Sequence, residues 1–225
     1  MPFILSLETA TTNCSVALAY DGKVIASRNV NSGYTHAEKI NVFIQEVVSD
    51  AGIQLKELHA IAVSSGPGSY TGLRIGASTA KGLCYALDIP LIAINTLDAM
   101  AQGISANENE MIVPMIDARR MEVYSAVYDS NKNRLSEPEA VIVNLDYYSH
   151  FRNGKSFLLA GDGADKCREI FQSDSAIKIQ PHFSPQAEFM SGLAEKKFHN
   201  SDFENVALFE PFYLKEFVAG PKKDS

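Results

Sequence analysis

A glycine-rich block at residues 64–76, SSGPGSYTGLRIG, carries the residues that could most readily bind an anion. Gly66 and Gly68 would let the backbone approach a phosphate, and the following helix would offer free N–H groups and the positive end of its dipole. Arg74 could add a positive charge. The block lacks the Gly-Lys-Ser/Thr ending of a P-loop, and its third glycine comes one residue late for a dinucleotide-binding fingerprint. A phosphate cradle is therefore one interpretation, without a matching known motif.

The same block can also be interpreted as a packing surface. Gly72, Gly76 and Ala80 recur every four residues, which places small side chains along one stripe of a helix. A glycine inside a soluble helix costs about 1 kcal/mol relative to alanine, so its presence suggests a need for close contact. The stripe favours packing within the chain or contact with a partner over phosphate binding, and both forms of packing stay open.

Glu8 ends a buried stretch and is followed by small hydroxyl residues in SLETATTNCS, residues 6–15. A carboxylate at a strand end could hold magnesium, directly or through water, while Thr9 and Thr11 meet a phosphate. A polar turn between two strands explains the same residues at least equally well. Both interpretations stay open.

Two further turns carry charged residues. The stretch IDARRMEVY includes Arg119 and Arg120, which could bind a phosphate or a partner carboxylate through paired hydrogen bonds. The stretch AGDGADK places Asp162 and Gly163 before a predicted helix, where they could contact a nucleotide. A solvated turn and an ordinary strand-to-helix connection, respectively, are the simpler explanations, and we favour them here.

No catalytic centre can be assembled from the sequence. The five histidines contain no pair with metal-ligand spacing. Ser64, Ser65 and Ser69 lack an identifiable base, and no nucleophile elbow is present. We therefore predict no catalytic residue, no metal site and no cofactor of the chain's own.

Composition narrows the class of protein. The chain has 225 residues, a net charge of -7 and ordinary proportions of hydrophobic and charged residues. Nucleic-acid binding usually requires a basic surface, so the chain is a poor candidate to bind RNA alone. Three widely separated cysteines fit a reducing compartment, and we expect no membrane span or signal peptide. These features predict a cytoplasmic globular protein.

Hydrophobic periodicity and turn residues predict a duplicated α/β architecture with a boundary near residue 105. We assign 1–105 to an N-terminal lobe and 106–225 to a C-terminal lobe whose tail packs back on the first. The predicted strands are 3–7, 15–20, 24–28, 59–64, 90–94, 111–117, 122–129 and 157–161. The predicted helices are 35–51, with a Thr35/Glu38 capping box, and 71–87, 96–104, 162–171 and 184–198.

Several of these segments together resemble the TsaB (YeaZ) family. They are ILSLETATTNCSVAL, SSGPGSYTGLRIGASTAKGLCYAL, PMIDARRMEVYSAVYD, LLAGDG and PFYLKE. The resemblance extends from residue 3 to about residue 216, and the glycine block is its most specific part. It implies an actin-like, hexokinase-like and Hsp70-like ATPase fold with two related lobes, each a mixed sheet with flanking helices.

The resemblance also implies a function. Proteins of this family are partners of TsaD, a paralogue that transfers a threonylcarbamoyl group to the adenosine beside the anticodon of tRNAs reading codons that begin with A. TsaD carries a metal-binding HxxxH motif, whereas Thr96–Met100 stand at the matching place here and contain no histidine. The resemblance therefore implies a non-catalytic subunit that pairs with TsaD, with the ATPase TsaE and with itself. ATP and metal would lie on the partner subunits, and tRNA would be reached only through the complex.

The family pairs through helices of the first lobe, so we expect the helices at 35–51 and 71–87 to form the partner-binding face. The expected contact residues are Gly72, Leu73, Gly76, Ala77, Ala80, Ile40, Phe43, Ile44 and Val47. On this interpretation Gly76→Leu should block assembly and leave the monomer folded.

The alternative function is an ATPase or small-molecule kinase of the same fold, acting on its own. It would place Glu8, Thr9, Thr11, Arg119 and Asp162 around magnesium-ATP. In a non-catalytic subunit the same residues, together with Gly66, Gly68 and Gly163, would be vestiges of a nucleotide or phosphate site.

Overall fold

The computed structural model describes residues 1–33, 35–144, 148, 151–152 and 154–215, which form two five-stranded sheets with flanking helices. The strands are β1 (Phe3–Glu8), β2 (Cys14–Tyr20), β3 (Lys23–Val30), β4 (Ala60–Gly66), β5 (Leu91–Asn95), β6 (Glu110–Asp117), β7 (Glu122–Ser125), β8 (Glu139–Ile142), β9 (Ser156–Ala160) and β10 (Ile177–Gln180). The helices are α1 (His36–Asp50), α2 (Tyr70–Leu87), α3 (Thr96–Gly103), α4 (Asp162–Lys166), α5 (Arg168–Phe171) and α6 (Ser191–His199), with 3-10 turns at Leu55–Glu57 and Ala187–Met190.

Both sheets follow one topology, which confirms the predicted duplication. The first has the order β3-β2-β1-β4-β5, and the second has the order β8-β7-β6-β9-β10. In each, the first strand pairs antiparallel with the second and parallel with the fourth. The second half of the chain therefore repeats the hairpin and the crossover of the first half.

The first sheet begins with the predicted meander. Asp21 and Gly22 both have positive φ, 52° and 68°, and they join Tyr20 to its cross-strand partner Lys23. Two central residues with positive φ are the requirement of the two-residue hairpin turn that Asp-Gly favours. The hairpin predicted from these two residues is confirmed.

Helices α1 and α2 cover one face of the first sheet. Alternate β1 residues Leu5 and Leu7 pack there against Ile40 and Ile44 of α1 and Ala80 of α2. Both helices lie where helical spacing predicted them. The predicted capping box is wrong, because the Thr35 side chain makes no capping bond and the Glu38 N–H donates instead to the Thr35 carbonyl at 3.1 Å.

The other face of the first sheet is covered by α3 and by residues from the second half of the chain. Ile4 packs there with Ala99 of α3, Met190 and Ala194. Helix α3 also reaches the second sheet, because its Leu97 belongs to a cluster with Ile112 and Ala160. Further along, the Glu204 N–H donates to the Leu91 carbonyl at 2.9 Å. The C-terminal part of the chain thus returns to the first sheet.

Parts of the second half differ from the sequence-based expectation. Strands β8 and β10 were not predicted, because each is only four residues long and half exposed. The predicted helix 162–171 divides into α4 and α5 at Cys167. The predicted helix 184–198 is helical only from the 3-10 turn onward.

The small-residue stripe of α2 faces the chain's own sheet. A Cβ added to Gly72 would lie well under 3.0 Å from the Thr9 carbonyl oxygen, and one added to Gly76 would lie equally close to the Thr9 hydroxyl. The residues predicted to contact a partner are buried in the chain, apart from the half-buried Phe43; they are Gly72, Leu73, Gly76, Ala77, Ala80, Ile40, Ile44 and Val47. Most of these residues therefore form the inner sides of α1 and α2, while Ile40 also borders the groove between the two helices. A partner face on these two helices stays a prediction.

Glycine-to-alanine substitutions in α2 can distinguish positions that pack against the sheet from positions that face solvent. Gly72→Ala should lower the free energy of unfolding by roughly 1–3 kcal/mol, because the new methyl group meets a backbone oxygen that cannot rotate away. Gly82→Ala, with no atom within 4 Å of the added Cβ, should raise it by roughly 0.5–1 kcal/mol through helix propensity. Chemical denaturation measures both values.

Equal effects at the two positions would contradict this assignment. Gly76→Leu should also destabilise the monomer, since a larger side chain meets Thr9 and Val63. It therefore cannot test partner contact.

Candidate functional site

The chain's own backbone fills the glycine loop. A Cβ on Gly66 would lie well under 3.0 Å from the Phe212 carbonyl oxygen, and Gly66 has a φ of +107° that favours glycine. The Phe212 N–H donates to the Ser65 carbonyl at 2.6 Å. A Cβ on Gly68 would lie equally close to the Ala10 carbonyl oxygen. Two backbone segments distant in sequence thus occupy the space beside the loop.

Several N–H groups at the start of α2 are already used. The Ser69 N–H donates to the Ala10 carbonyl at 2.6 Å, and the Leu73 N–H donates to the Ser69 carbonyl at 2.8 Å. The Ser69 hydroxyl accepts from the Gly72 N–H at 3.3 Å. Carbonyl oxygens next to the loop would repel an anion. The arrangement around Gly66 and Gly68 therefore does not fit a phosphate and fits close backbone packing.

Glu8 lies fully buried at the end of β1. Its Oε1 accepts a hydrogen bond from the Ala10 N–H at 2.6 Å, while Oε2 is buried without a hydrogen-bond partner. Burial raises the pKa of this carboxyl to about 7, and the Ala10 N–H opposes the shift only in part. The Thr9 hydroxyl is also buried without a partner. The end of β1 therefore holds a buried carboxyl group whose pKa lies near 7.

The polar residues of the second half form a separate cluster at the end of β6. The Asp162 carboxylate accepts from the Asp117 N–H at 2.9 Å, and burial raises the pKa of Asp162. Lys166 forms an ion pair with Asp117. Gly163 packs against the backbone of Ile116. Asp162 and Gly163 are thus engaged in holding α4 on β6, as the simpler interpretation predicted.

The residues proposed for a kinase site lie at the ends of two different strands. Glu8, Thr9 and Thr11 lie at the end of β1, whereas Arg119 and Asp162 lie at the end of β6. No hydrogen bond or ion pair of the described residues joins the two groups. In residues 1–33, 35–144 and 154–215 no cluster of three or more potential metal-ligating side chains occurs.

The stretch Thr96–Met100, which the family resemblance matched to a metal-binding motif, lies at the start of α3. Asn95 caps α3 by accepting from the Leu97 N–H at 2.9 Å. One turn later, Asp98 accepts from the Tyr128 hydroxyl at 2.7 Å and lies near Arg134. Residues Thr96–Met100 therefore fasten α3 to the second sheet.

A surface groove of about 500 Å³ lies between the outer sides of α1 and α2. It is lined by Ala37, Ile40, Asn41, Tyr70, Thr71, Arg74, Ile75, Ser78 and Thr79. Four of these side chains are small, namely Ala37, Thr71, Ser78 and Thr79, and Thr71, Arg74 and Ser78 are exposed. Sequence reasoning missed this groove because the glycines drew attention to the opposite, inner side of α2.

The C-terminal segment 204–215 borders this groove. The rings of Tyr70 and Tyr213 lie 4.9 Å apart, and the Arg74 guanidinium stacks 4.1 Å above the Tyr70 ring. Lys81 donates to the carbonyl oxygens of Ala207 and Phe209, both at 3.0 Å. The segment thus contacts Tyr70, which lines the groove, and Lys81, which lies three turns further along α2.

Within the described residues, no helix has the length and apolar character needed to cross a membrane.

Burial of Glu8 predicts a specific pH dependence of stability. Its folded pKa of about 7 exceeds the ordinary value of 4.5, so the folded state binds the proton more tightly. The associated stability is fully present below pH 4.5 and is lost as pH rises through 7, by about 3 kcal/mol in total. Glu8→Gln should remove this loss, which denaturation at pH 5 and pH 8.5 would measure.

Glu38→Gln is the matched control, because Glu38 is exposed on α1. The control should follow the wild-type pH profile. Parallel profiles for wild type and Glu8→Gln would contradict a neutral buried carboxyl group.

Comparison with known proteins places the chain in a family. A family model described as TsaD, tRNA N6-adenosine threonylcarbamoyltransferase, matches residues 29–221. The tRNA threonylcarbamoyladenosine biosynthesis protein TsaB of Haemophilus influenzae is 33% identical over 236 residues, which cover 97% of this chain and 96% of the relative.

Solved structures agree with this placement. YeaZ from Pseudomonas aeruginosa superposes with a TM-score of 0.81 at 26% identity, over 95% of this chain and 100% of that chain. Component A of (R)-2-hydroxyglutaryl-CoA dehydratase from Acidaminococcus fermentans shares the fold alone, with a TM-score of 0.51 at 12% identity over 90% of this chain and 100% of that chain. The two-lobed, actin-like fold class is thereby confirmed, and the chain belongs to the TsaB (YeaZ) family.

Proposed function

We propose that this chain acts in the biosynthesis of threonylcarbamoyladenosine in tRNA as a non-catalytic subunit. The observation that carries the proposal is the contrast between two surfaces. The loop where a phosphate would bind is filled by Ala10 and Phe212, whereas the outer sides of α1 and α2 enclose an open groove. A filled loop argues against turnover of a nucleotide by this chain, and an open groove between helices is suited to a protein partner.

The partner that we propose for the groove is TsaD. The TsaD family model matches residues 29–221, which include both α1 and α2. TsaD should therefore possess the same pair of helices, and two related helix pairs can pack face to face about a pseudo-twofold axis. The chemistry of the groove suits this arrangement, since Ser78 and Thr79 on α2 and Ala37 on α1 would let a second pair of helices approach closely.

The same geometry permits pairing of two copies of this chain. A face that accepts a paralogue also accepts itself, so homodimers should form in the absence of TsaD and give way to heterodimers in its presence. The family resemblance further implies TsaE as a partner. ATP and metal would then be bound by TsaD and TsaE, and this chain would organise the complex.

The groove can be tested by adding bulk and charge to its lining. Ser78→Arg should weaken pairing with TsaD from the same organism by about tenfold or more, because a long charged side chain would occupy the floor of a close helix contact. Ala86→Arg is the matched control, since Ala86 is exposed on the same helix outside the groove. Titration by biolayer interferometry measures the affinities, and melting curves confirm that both variants fold.

Wild-type affinity for TsaD in both variants would exclude the groove as the contact surface. Pairing that is lost in both variants would place the interface elsewhere on α2.

The pathway itself is tested by depleting the protein and analysing the nucleosides of bulk tRNA by mass spectrometry. Threonylcarbamoyladenosine should fall while other modified nucleosides stay constant. Wild type and Ala86→Arg should restore it, whereas Ser78→Arg should not. Unchanged threonylcarbamoyladenosine after depletion would overturn the proposed function.

A further inference from the structure

The turn between β6 and β7 presents two adjacent arginines. Residues 119–121 form a short loop closed by the Ala118 N–H, which donates to the Glu122 carbonyl at 3.1 Å. Arg119 and Arg120 both have positive φ, 67° and 52°, and both are exposed. Side chains other than glycine adopt this backbone at some cost in free energy, and such positions often mark functional sites. Two arginines in succession here call for an explanation.

These two arginines differ from the others in having no ion-pair or hydrogen-bond partner for their side chains among the residues that the structure describes. The chain has seven arginines. Five are held by carboxylates or by tyrosines; they are Arg28, Arg74, Arg134, Arg152 and Arg168. In the described part of the chain, neither Arg119 nor Arg120 forms an ion pair or a side-chain hydrogen bond. Their guanidinium groups are therefore free to bind an external anion.

The nearby carboxylates only partly neutralise this turn. Asp117 is paired with Lys166, Glu122 is paired with Lys215, and the buried Asp162 accepts from the Asp117 N–H. Two arginines against the one carboxylate without an ion pair leave a local excess of positive charge on a chain whose net charge is -7. The pairs at the base of the hairpin also hold the turn in place, since Lys166 additionally donates to the Glu122 carbonyl at 2.7 Å.

The C-terminal segment connects the turn to the groove between α1 and α2. Lys215 binds Glu122 at the base of the hairpin, and two residues earlier Tyr213 packs on Tyr70, which lines the groove. Two residues of extended backbone span at most about 7 Å, and the side chains of Lys215 and Tyr213 add to that separation. One short segment thus contacts both the hairpin that carries the positive turn and the lining of the groove.

We propose that Arg119 and Arg120 bind the phosphodiester backbone of tRNA when this chain is assembled with its partner. The inference rests on the proposed function and assigns this chain a direct share in holding the RNA. A guanidinium group offers five donors in a planar fork that matches phosphate oxygens. Two such groups on a net acidic chain would bind RNA weakly alone, so their contribution depends on the basic surface of a partner.

A variant that removes the charges and relieves the backbone tests the proposal. Arg119→Asn/Arg120→Gly places residues that tolerate positive φ in the turn, so it should be at least as thermostable as wild type. Reconstituted with TsaD, it should pair normally and bind a tRNA transcript roughly tenfold more weakly. The slope of log K against log salt concentration should fall by about 1.5–2, because two phosphate contacts are lost.

Two further variants complete the experiment. Arg119→Lys/Arg120→Lys keeps the charge and should retain most of the salt slope. Arg168→Gln removes an exposed arginine that is paired with Asp165, and it should leave tRNA affinity unchanged.

Each remaining outcome overturns the proposal in a recognisable way. Unchanged tRNA affinity and salt slope in the Asn/Gly variant, with pairing intact, would overturn this inference alone. Loss of pairing in that variant would show that the arginines contact an acidic protein surface instead of RNA. A wild-type chain that does not pair with TsaD would overturn the proposed function, and this inference with it.

Discussion

The contact between α2 and the backbone of Thr9 and Ala10 determines the character of the first lobe. The Ser69 N–H donates to the Ala10 carbonyl at 2.6 Å, and only glycine fits at positions 72 and 76 against Thr9. This approach places the first turn of α2 directly on the β1–β2 connection. It uses the Ser69 N–H, which could otherwise bind an anion, and helps to bury Glu8. It also turns the opposite side of α2 toward solvent, where it lines a groove with α1.

The sequence predicted the positions of the helices and strands of the first lobe well. It did not predict which surfaces these elements pack against. Asp21-Gly22, the helical spacing of Ile40 and Ile44, and the buried strands at 3–7 and 59–64 are local signals, and each was confirmed. The direction in which Gly72 and Gly76 face is not a local property. It depends on Thr9, which is more than sixty residues away in the sequence. Small residues at a spacing of four indicate that something approaches closely, without indicating what approaches.

The second lobe was harder to predict because its elements are short and partly exposed. Strands β8 and β10 have four residues each and alternate weakly, so periodicity gives little signal. The division of α4 from α5 occurs at Cys167, which is fully buried and carries no helix-breaking signal. The buried carboxyl at Glu8 was singled out as a polar strand end. Its protonation near neutral pH follows from burial on all sides, which only the tertiary structure reveals.

The duplicated topology shows how the two lobes have diverged. Glu8 and Asp117 end the equivalent strands β1 and β6, yet Glu8 is buried whereas Asp117 is exposed and paired with Lys166. After β1 the chain runs beneath α2 and fills the glycine loop. After β6 it makes a tight hairpin that leaves two arginines in solvent. Internal packing thus closes the end of β1, whereas the equivalent end of β6 stays exposed. The closed end stabilises the helices that we propose to pair with TsaD, and the exposed end remains available to a charged ligand. The segment from Phe212 to Lys215 contacts both ends, so it fixes the position of the hairpin relative to the groove.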